Sequence, residues 1–149
     1  LVNEVLLATG IDPPSLKIEI TESDVMQNPE AVTSVLKQIE SQKVQTCLDD
    51  FGTGYSSLSY LQQLPITFLK IDQSFIRRLG ADDDALAIVK TIIVLAHQLG
   101  RQVIAEGVET TEHLTTLRLL GCEYGQGYLF AKPLPDSEVS AFLASGRHW

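Results

Sequence analysis

Five times along this chain, a short run of strand length rich in apolar residues gives way to a stretch whose apolar positions recur three and four apart. The strand-like runs are residues 16–22, 44–48, 68–72, 102–106 and 124–130. Helical spacing follows through Val32, Val35, Leu36 and Ile39, then across 56–64 with Leu58, Leu61 and Leu64 on one face. It recurs through Ile88, Ile92, Leu95 and Leu99, through Leu114, Leu117 and Leu120, and over 137–143. Pro29 opens the first of these helices, Gly100 and Gly121 stop two others, Thr110 or Thr111 caps the fourth, and Asp136 or Ser137 caps the last. Alternation of this kind implies parallel strands joined by right-handed helical crossovers. It leaves both a doubly wound sheet and a section of a (β/α)8 barrel open.

The 149 residues, 44% of them hydrophobic, suffice for one sizeable core, and no low-complexity linker marks a second domain. Residues 1–9 run at helical spacing with no capping residue ahead of them, so the chain is expected to be a piece of something longer. A formal charge of −8 argues against a sequence-independent grip on polymeric nucleic acid. An anionic ligand would then need metal ions as mediators. No apolar run reaches membrane-helix length and no secretory pattern opens the chain, so no membrane contact by this segment is expected. Cys47 and Cys122 lack paired spacing and read as buried thiols in a reducing, cytoplasmic compartment.

The chemistry concentrates where the strand-like runs end. Glu19 and Glu22, Asp49 and Asp50, Asp72, and Glu106 with Glu109 just beyond stand at or next to four successive ends. Parallel strands share a polarity, so these carboxylates converge on one rim, the place where α/β proteins bind ligands. Clustered carboxylates raise one another's pKa unless a cation neutralises them, and all-oxygen ligation favours Mg²⁺ or Mn²⁺ over zinc. Lys70 lies two residues before Asp72, on the same strand face. A Schiff-base role for Lys70 is weakened by so many acids, which keep its ammonium charged; orienting water or stabilising phosphate charge fits better. Gln126, between Gly125 and Gly127, offers a hydrogen-bonding arm near the mouth. The 52–54 Gly-Thr-Gly turn lacks the Lys and Ser/Thr of a nucleoside-triphosphate loop. His97, His113 and His148 fall away from strand ends and read as surface or interhelix residues.

Assembled in order, Glu19-Ile20-Thr21-Glu22-Ser23, Asp49-Asp50-Phe51-Gly52-Thr53-Gly54-Tyr55-Ser56-Ser57-Leu58, Leu69-Lys70-Ile71-Asp72, Ala105-Glu106-Gly107-Val108-Glu109-Thr110 and Gly125-Gln126-Gly127-Tyr128 make the chain resemble the EAL-domain family of bacterial cyclic-di-GMP phosphodiesterases. The resemblance implies an α/β fold of modified TIM-type, here about five βα units of an incomplete barrel forming the C-terminal portion of the domain over residues 1–149. It implies two Mg²⁺ or Mn²⁺ ions, the first held by Glu19 and Asp49, with Asp49 bridging to a second held also by Asp50 and Glu106. Lys70, Glu106 and Asp49 would be catalytic, and Asp50, Gln126 and, at the pocket's periphery, Glu109 would serve the substrate. Glu22 would anchor the 50–54 loop; three residues after Glu19, it leaves the shared strand face but reaches the turn amides. The implied reaction is hydrolysis of cyclic-di-GMP to linear pGpG, in a homodimer paired near the 50–54 loop and controlled by upstream regulatory domains.

One departure stands against this. The Glu-Ala-Leu signature, with its metal-binding Glu and substrate Arg, and the metal-binding Asn of the next strand are absent from residues 1–149 and are expected upstream of Leu1. A complete barrel of this kind needs about 250 residues. The alternative reading is therefore a catalytically inactive module that binds cyclic-di-GMP or a protein partner. A Schiff-base lyase using Lys70 is a distant third.

Overall fold

The computed structural model describes residues 2–54 and 58–146. Five parallel strands, β1 (Lys17–Thr21), β2 (Gln45–Phe51), β3 (Phe68–Ile71), β4 (Gln102–Glu106) and β5 (Tyr124–Gln126), lie side by side in chain order. The helices are α1 (Val2–Thr9), α2 (Glu22–Gln27), α3 (Pro29–Ser41), α4 (Leu58–Gln63), α5 (Gln73–Ile76), α6 (Asp83–Gln98), α7 (Thr111–Leu119) and α8 (Asp136–Ala144). The sheet does not close on itself, so the sequence's two candidate topologies resolve to an arc of a β/α barrel.

Alternation along each strand sorts side chains into two layers. On the convex face, Leu48, Leu69, Ile71, Val103 and Ala105 join Leu36, Val89 and Ile93 of the helices in the main core. On the concave face, Cys47, Phe68 and Ile104 form a second, smaller cluster. Lys17 reaches across this inner face, its Nζ 3.8 Å from the centre of the Phe68 ring and 5.7 Å from that of Tyr124. First and last strands therefore curve toward each other.

Several boundaries differ from the sequence reading for physical reasons. The run at 16–22 ends one residue early, because Thr21 accepts a hydrogen bond from Asp24 N and caps α2, making Glu22 a helix residue. Asp72 likewise leaves its strand: its carboxylate accepts from Ser74 N and caps α5. The buried stripe of α6 is Ala85, Val89, Ile92, Ile93 and Ala96, with Ile88 outside it, since two alanines let the helix lie close against the sheet. Leu61 of α4 and Leu64 just after it are buried while Leu58 is 61% exposed; Ser56, where that helix was expected to begin, lies outside the described residues, as does His148. Helix α8 starts at Asp136 with Pro135, not Asp136 or Ser137, at its cap, and buries no residue.

The strand expected over 124–130 stops at Gln126. Val108 N donates to Gln126 O and Leu129 N donates to Val108 O, so Gly127 lies flat against the Val108 backbone. A Cβ on Gly127 would overlap the Val108 N, C and O atoms, none of which can rotate away. Gly127→Ala should destabilise the fold by about 2 kcal/mol or more. The check is the urea midpoint: an unchanged midpoint would show that this close approach relaxes without cost.

Candidate active site

The concave-facing residues at the C-terminal strand ends are Glu19, Asp49, Lys70, Glu106 and Gln126, each two positions after Lys17, Cys47, Phe68, Ile104 and Tyr124 respectively. The period of two thus converts an apolar layer into a polar one at a single level of the arc. Lys70 stands at its centre. Its Nζ lies 2.9 Å from Glu19 Oε2, 3.1 Å from Asp49 Oδ1 and 2.6 Å from Glu106 Oε1, and its side chain is only 4% exposed. Burial alone pulls the ammonium toward neutrality, but hydrogen bonds to Glu106, Glu19 and Asp49 outweigh it and hold the pKa above lysine's ordinary value. A lysine so charged is not a nucleophile, which argues against Schiff-base chemistry.

Asp50 reaches the same site by a backbone irregularity. Between the pairs Leu48↔Leu69 and Phe51↔Ile71, β2 advances three residues while β3 advances two, which is a bulge of one residue. Asp50 takes up the extra length at φ 55°, a left-handed conformation that aspartate tolerates better than most residues. Its amide donates to Asp49 Oδ1 at 2.9 Å. Adjacent acids that would face opposite sides of a regular strand are thereby brought to one side. Desolvation, then the charges of Asp49 and Asp72, raise the Asp50 pKa, only partly opposed by Lys70.

Asp49, Asp50 and Glu106 each offer a carboxylate oxygen within 4.8 Å of the others. This all-oxygen set, with negative field left over at Asp50, fits a divalent cation of the Mg²⁺ or Mn²⁺ type. Glu19 stands outside that trio, on the Lys70 side.

The remaining residues frame the cluster. Gly52 N donates to Glu22 Oε2 at 3.1 Å, tying the 50–54 loop to the start of α2. Glu22 is buried, and its other oxygen, against which Gly54 packs, has no hydrogen-bond partner among the described residues. Gln126 and Glu109 line a cavity with Glu106. His113, read from sequence as a remote helix residue, is buried, and its Nδ1 accepts from Glu109 N at 3.4 Å. The spacing of four from Glu109 to a helix's first turn was the available signal. His97 pairs with Glu123 at 2.9 Å, and Glu123 accepts from Val103 N at the opposite end of β4. The thiols are inert: burial raises Cys47 to about 12 and Cys122 to about 11.

The geometry defines a class of protein: an open β/α barrel arc with a lysine clamped among strand-end carboxylates, three of which could hold a cation. The EAL domain model matches residues 1–133, and the chain belongs to the EAL domain family. It is 42% identical over 150 residues to the cyclic di-GMP phosphodiesterase NbdA of Pseudomonas aeruginosa, covering 99% of this chain and 19% of NbdA. It superposes on the MucR phosphodiesterase of Pseudomonas aeruginosa, solved as a c-di-GMP complex, with a TM-score of 0.89 and 42% identity, over 93% of this chain and 56% of that one. The EAL domain of Mycobacterium smegmatis DcpA matches with a TM-score of 0.92 and 43% identity, over 99% of this chain and 66% of that one. The chain thus spans about a fifth of NbdA's length and about two thirds of the solved DcpA domain. Among the described residues no helix is long and apolar enough to cross a membrane.

Removing the Lys70 charge leaves Glu19, Asp49 and Glu106 to repel one another. Lys70→Met should cost about 3 kcal/mol of stability in the presence of a chelator, and added Mg²⁺ should restore part of it. Urea titrations with and without Mg²⁺ measure both; equal midpoints for variant and wild type in chelator would show that the clamp contributes nothing.

Proposed function

We propose that residues 1–149 are the C-terminal portion of an EAL domain that hydrolyses one phosphodiester bond of cyclic-di-GMP to give linear pGpG. The observation that carries this reading is the Asp49, Asp50 and Glu106 carboxylate group beside Lys70, at the strand ends of a chain about 42% identical to proteins named as cyclic-di-GMP phosphodiesterases. In it, Glu19, Asp49, Asp50 and Glu106 would hold two Mg²⁺ or Mn²⁺ ions. Bound there, such ions lower the pKa of water and neutralise charge on the phosphate.

Lys70 keeps a full positive charge at the level where phosphate oxygens arrive, and donates to them or to the attacking water. Its three carboxylate partners fix the direction of its Nζ before substrate binds. Gln126 and Glu109 serve the substrate from the adjoining cavity. Glu22 holds the loop that carries Asp50 and takes no metal itself. The same reading pairs the protein with a second copy near the 50–54 loop, and places it in the cytoplasm under regulatory domains; relatives several times the length of this chain support the last point.

Two variants test the assignment in the full-length protein. Asp49→Asn should abolish Mg²⁺- or Mn²⁺-dependent conversion of cyclic-di-GMP to pGpG, followed by chromatography of the products. Near-normal turnover by Asp49→Asn would sink the metal assignment; a wild type that binds cyclic-di-GMP without converting it would establish the inactive binding module instead.

Glu22→Ala should lower turnover at least tenfold while leaving metal affinity measurable by calorimetry. Loss of metal binding as complete as in Glu19→Ala would make Glu22 a ligand and remove its role as an anchor.

A further inference from the structure

Beside the carboxylate cluster lies a cavity of about 240 Å³ whose walls include Gln73, Arg77, Glu106, Glu109, Gln126 and Tyr128. Glu106 belongs to both the cavity and the cluster, so a ligand with a phosphodiester at the cluster extends its neighbouring group into the cavity. Arg77 is the only cation among these lining residues. It follows α5 by one residue and stands four positions after Gln73, which places both side chains over one face of the turn. Gly107 holds that turn against the loop after β4: at φ 72°, a Cβ on Gly107 would come within 2.7 Å of Gln73 Cβ. The approach brings Arg77 Nη2 to 3.3 Å from Glu109 Oε1, an ion pair that occupies one of the guanidinium's five N–H donors. Tyr128 is 61% exposed, with Lys132 Nζ 5.8 Å from the centre of its ring.

This combination suits one kind of group. A planar fork of donors addresses two adjacent acceptors, the carboxamides of Gln73 and Gln126 complete a polar rim, and the face of the Tyr128 ring away from Lys132 offers stacking. Guanine presents adjacent acceptors at O6 and N7, whereas adenine replaces the first with an N–H₂ donor that a donor-only guanidinium cannot satisfy. We infer that Arg77 is a specificity-determining residue that selects guanine over adenine in the cavity beside the carboxylates, oriented for that contact by Glu109. The inference rests on the cyclic dinucleotide reading above and adds the residue that tells one base from another.

The test uses the full-length protein with Mg²⁺ and three phosphodiesters: cyclic-di-GMP, cyclic-di-AMP and bis(p-nitrophenyl) phosphate, which carries no base. Wild type should favour cyclic-di-GMP over cyclic-di-AMP in kcat/KM. Arg77→Met should lower kcat/KM for cyclic-di-GMP by roughly 10- to 100-fold, the discrimination typical of a bidentate arginine contact, and leave the other two substrates within about twofold. Arg77→Lys should fall between. An equal loss on all three substrates would make Arg77 a structural residue, and undiminished preference for cyclic-di-GMP would remove it from base recognition; either overturns the inference while leaving the phosphodiesterase reading intact. A wild type without preference for cyclic-di-GMP overturns both.

Discussion

An ammonium group surrounded by three carboxylates from three different strands is the constraint around which this arc is organised. Lys70 on β3 touches Glu19 on β1, Asp49 on β2 and Glu106 on β4. On a flat sheet β1 would lie about 10 Å from β3, two strand spacings away, so Lys70 and Glu19 would have to stretch along the surface to meet. The curvature of the sheet shortens that reach and lets one ammonium serve three strands. Each acid, taken from water without the lysine, would be costly; together they form a network whose members depend on one another.

Within that network Lys70 leaves part of the negative charge unanswered, and the bulge in β2 decides where. The extra residue swings Asp50 onto the functional side, next to Asp49 and within the field of Asp72. The strained φ of Asp50 persists because its surroundings hold it: Asp49 takes its amide, Thr53 donates to its carbonyl through both amide and hydroxyl, and Glu22 secures Gly52 two residues later. Regular pairing of β2 would present one acid instead of two. A local departure from sheet geometry thus creates the side of the cluster suited to a cation.

Much of this was legible in residue order, and the reasons for the rest are specific. Strand ends in Asp49, Lys70 and Glu106 could be read because a period of two, applied to parallel strands, puts such residues on one rim. The bulge could not, since Asp49-Asp50 in a regular strand spells one inward and one outward acid. Helix α2 was hidden by the alternation of Lys17 to Glu22, which continues a strand pattern past the point where the Thr21 hydroxyl ends it. The spacing of Ile88, Ile92, Leu95 and Leu99 gave the helix α6 but not its closest approach to the sheet, which the small Ala85 and Ala96 decide. Arg77 falls outside the strand-end motifs, and the contact of α5 with the loop after β4 reveals its ion pair with Glu109, whereas His113 meets Glu109 across four residues of sequence.

Lys17 gives the arc a property that its active rim does not share. At the base of the concave face it spans from the first strand to the aromatic rings of the third and fifth, so residues far apart in sequence are gathered at one end without any backbone bond between β1 and β5. At the other end, Lys70 ties β1, β2 and β4, and β5 stands beside them with Gln126 at its tip. The sheet is in effect a fan pinned at its handle. Its fifth rib is held at the tip by peptide groups instead of charge, since Val108 N donates to Gln126 O and Leu129 N to Val108 O, so the cavity wall it carries keeps its place even when the charges of the rim change.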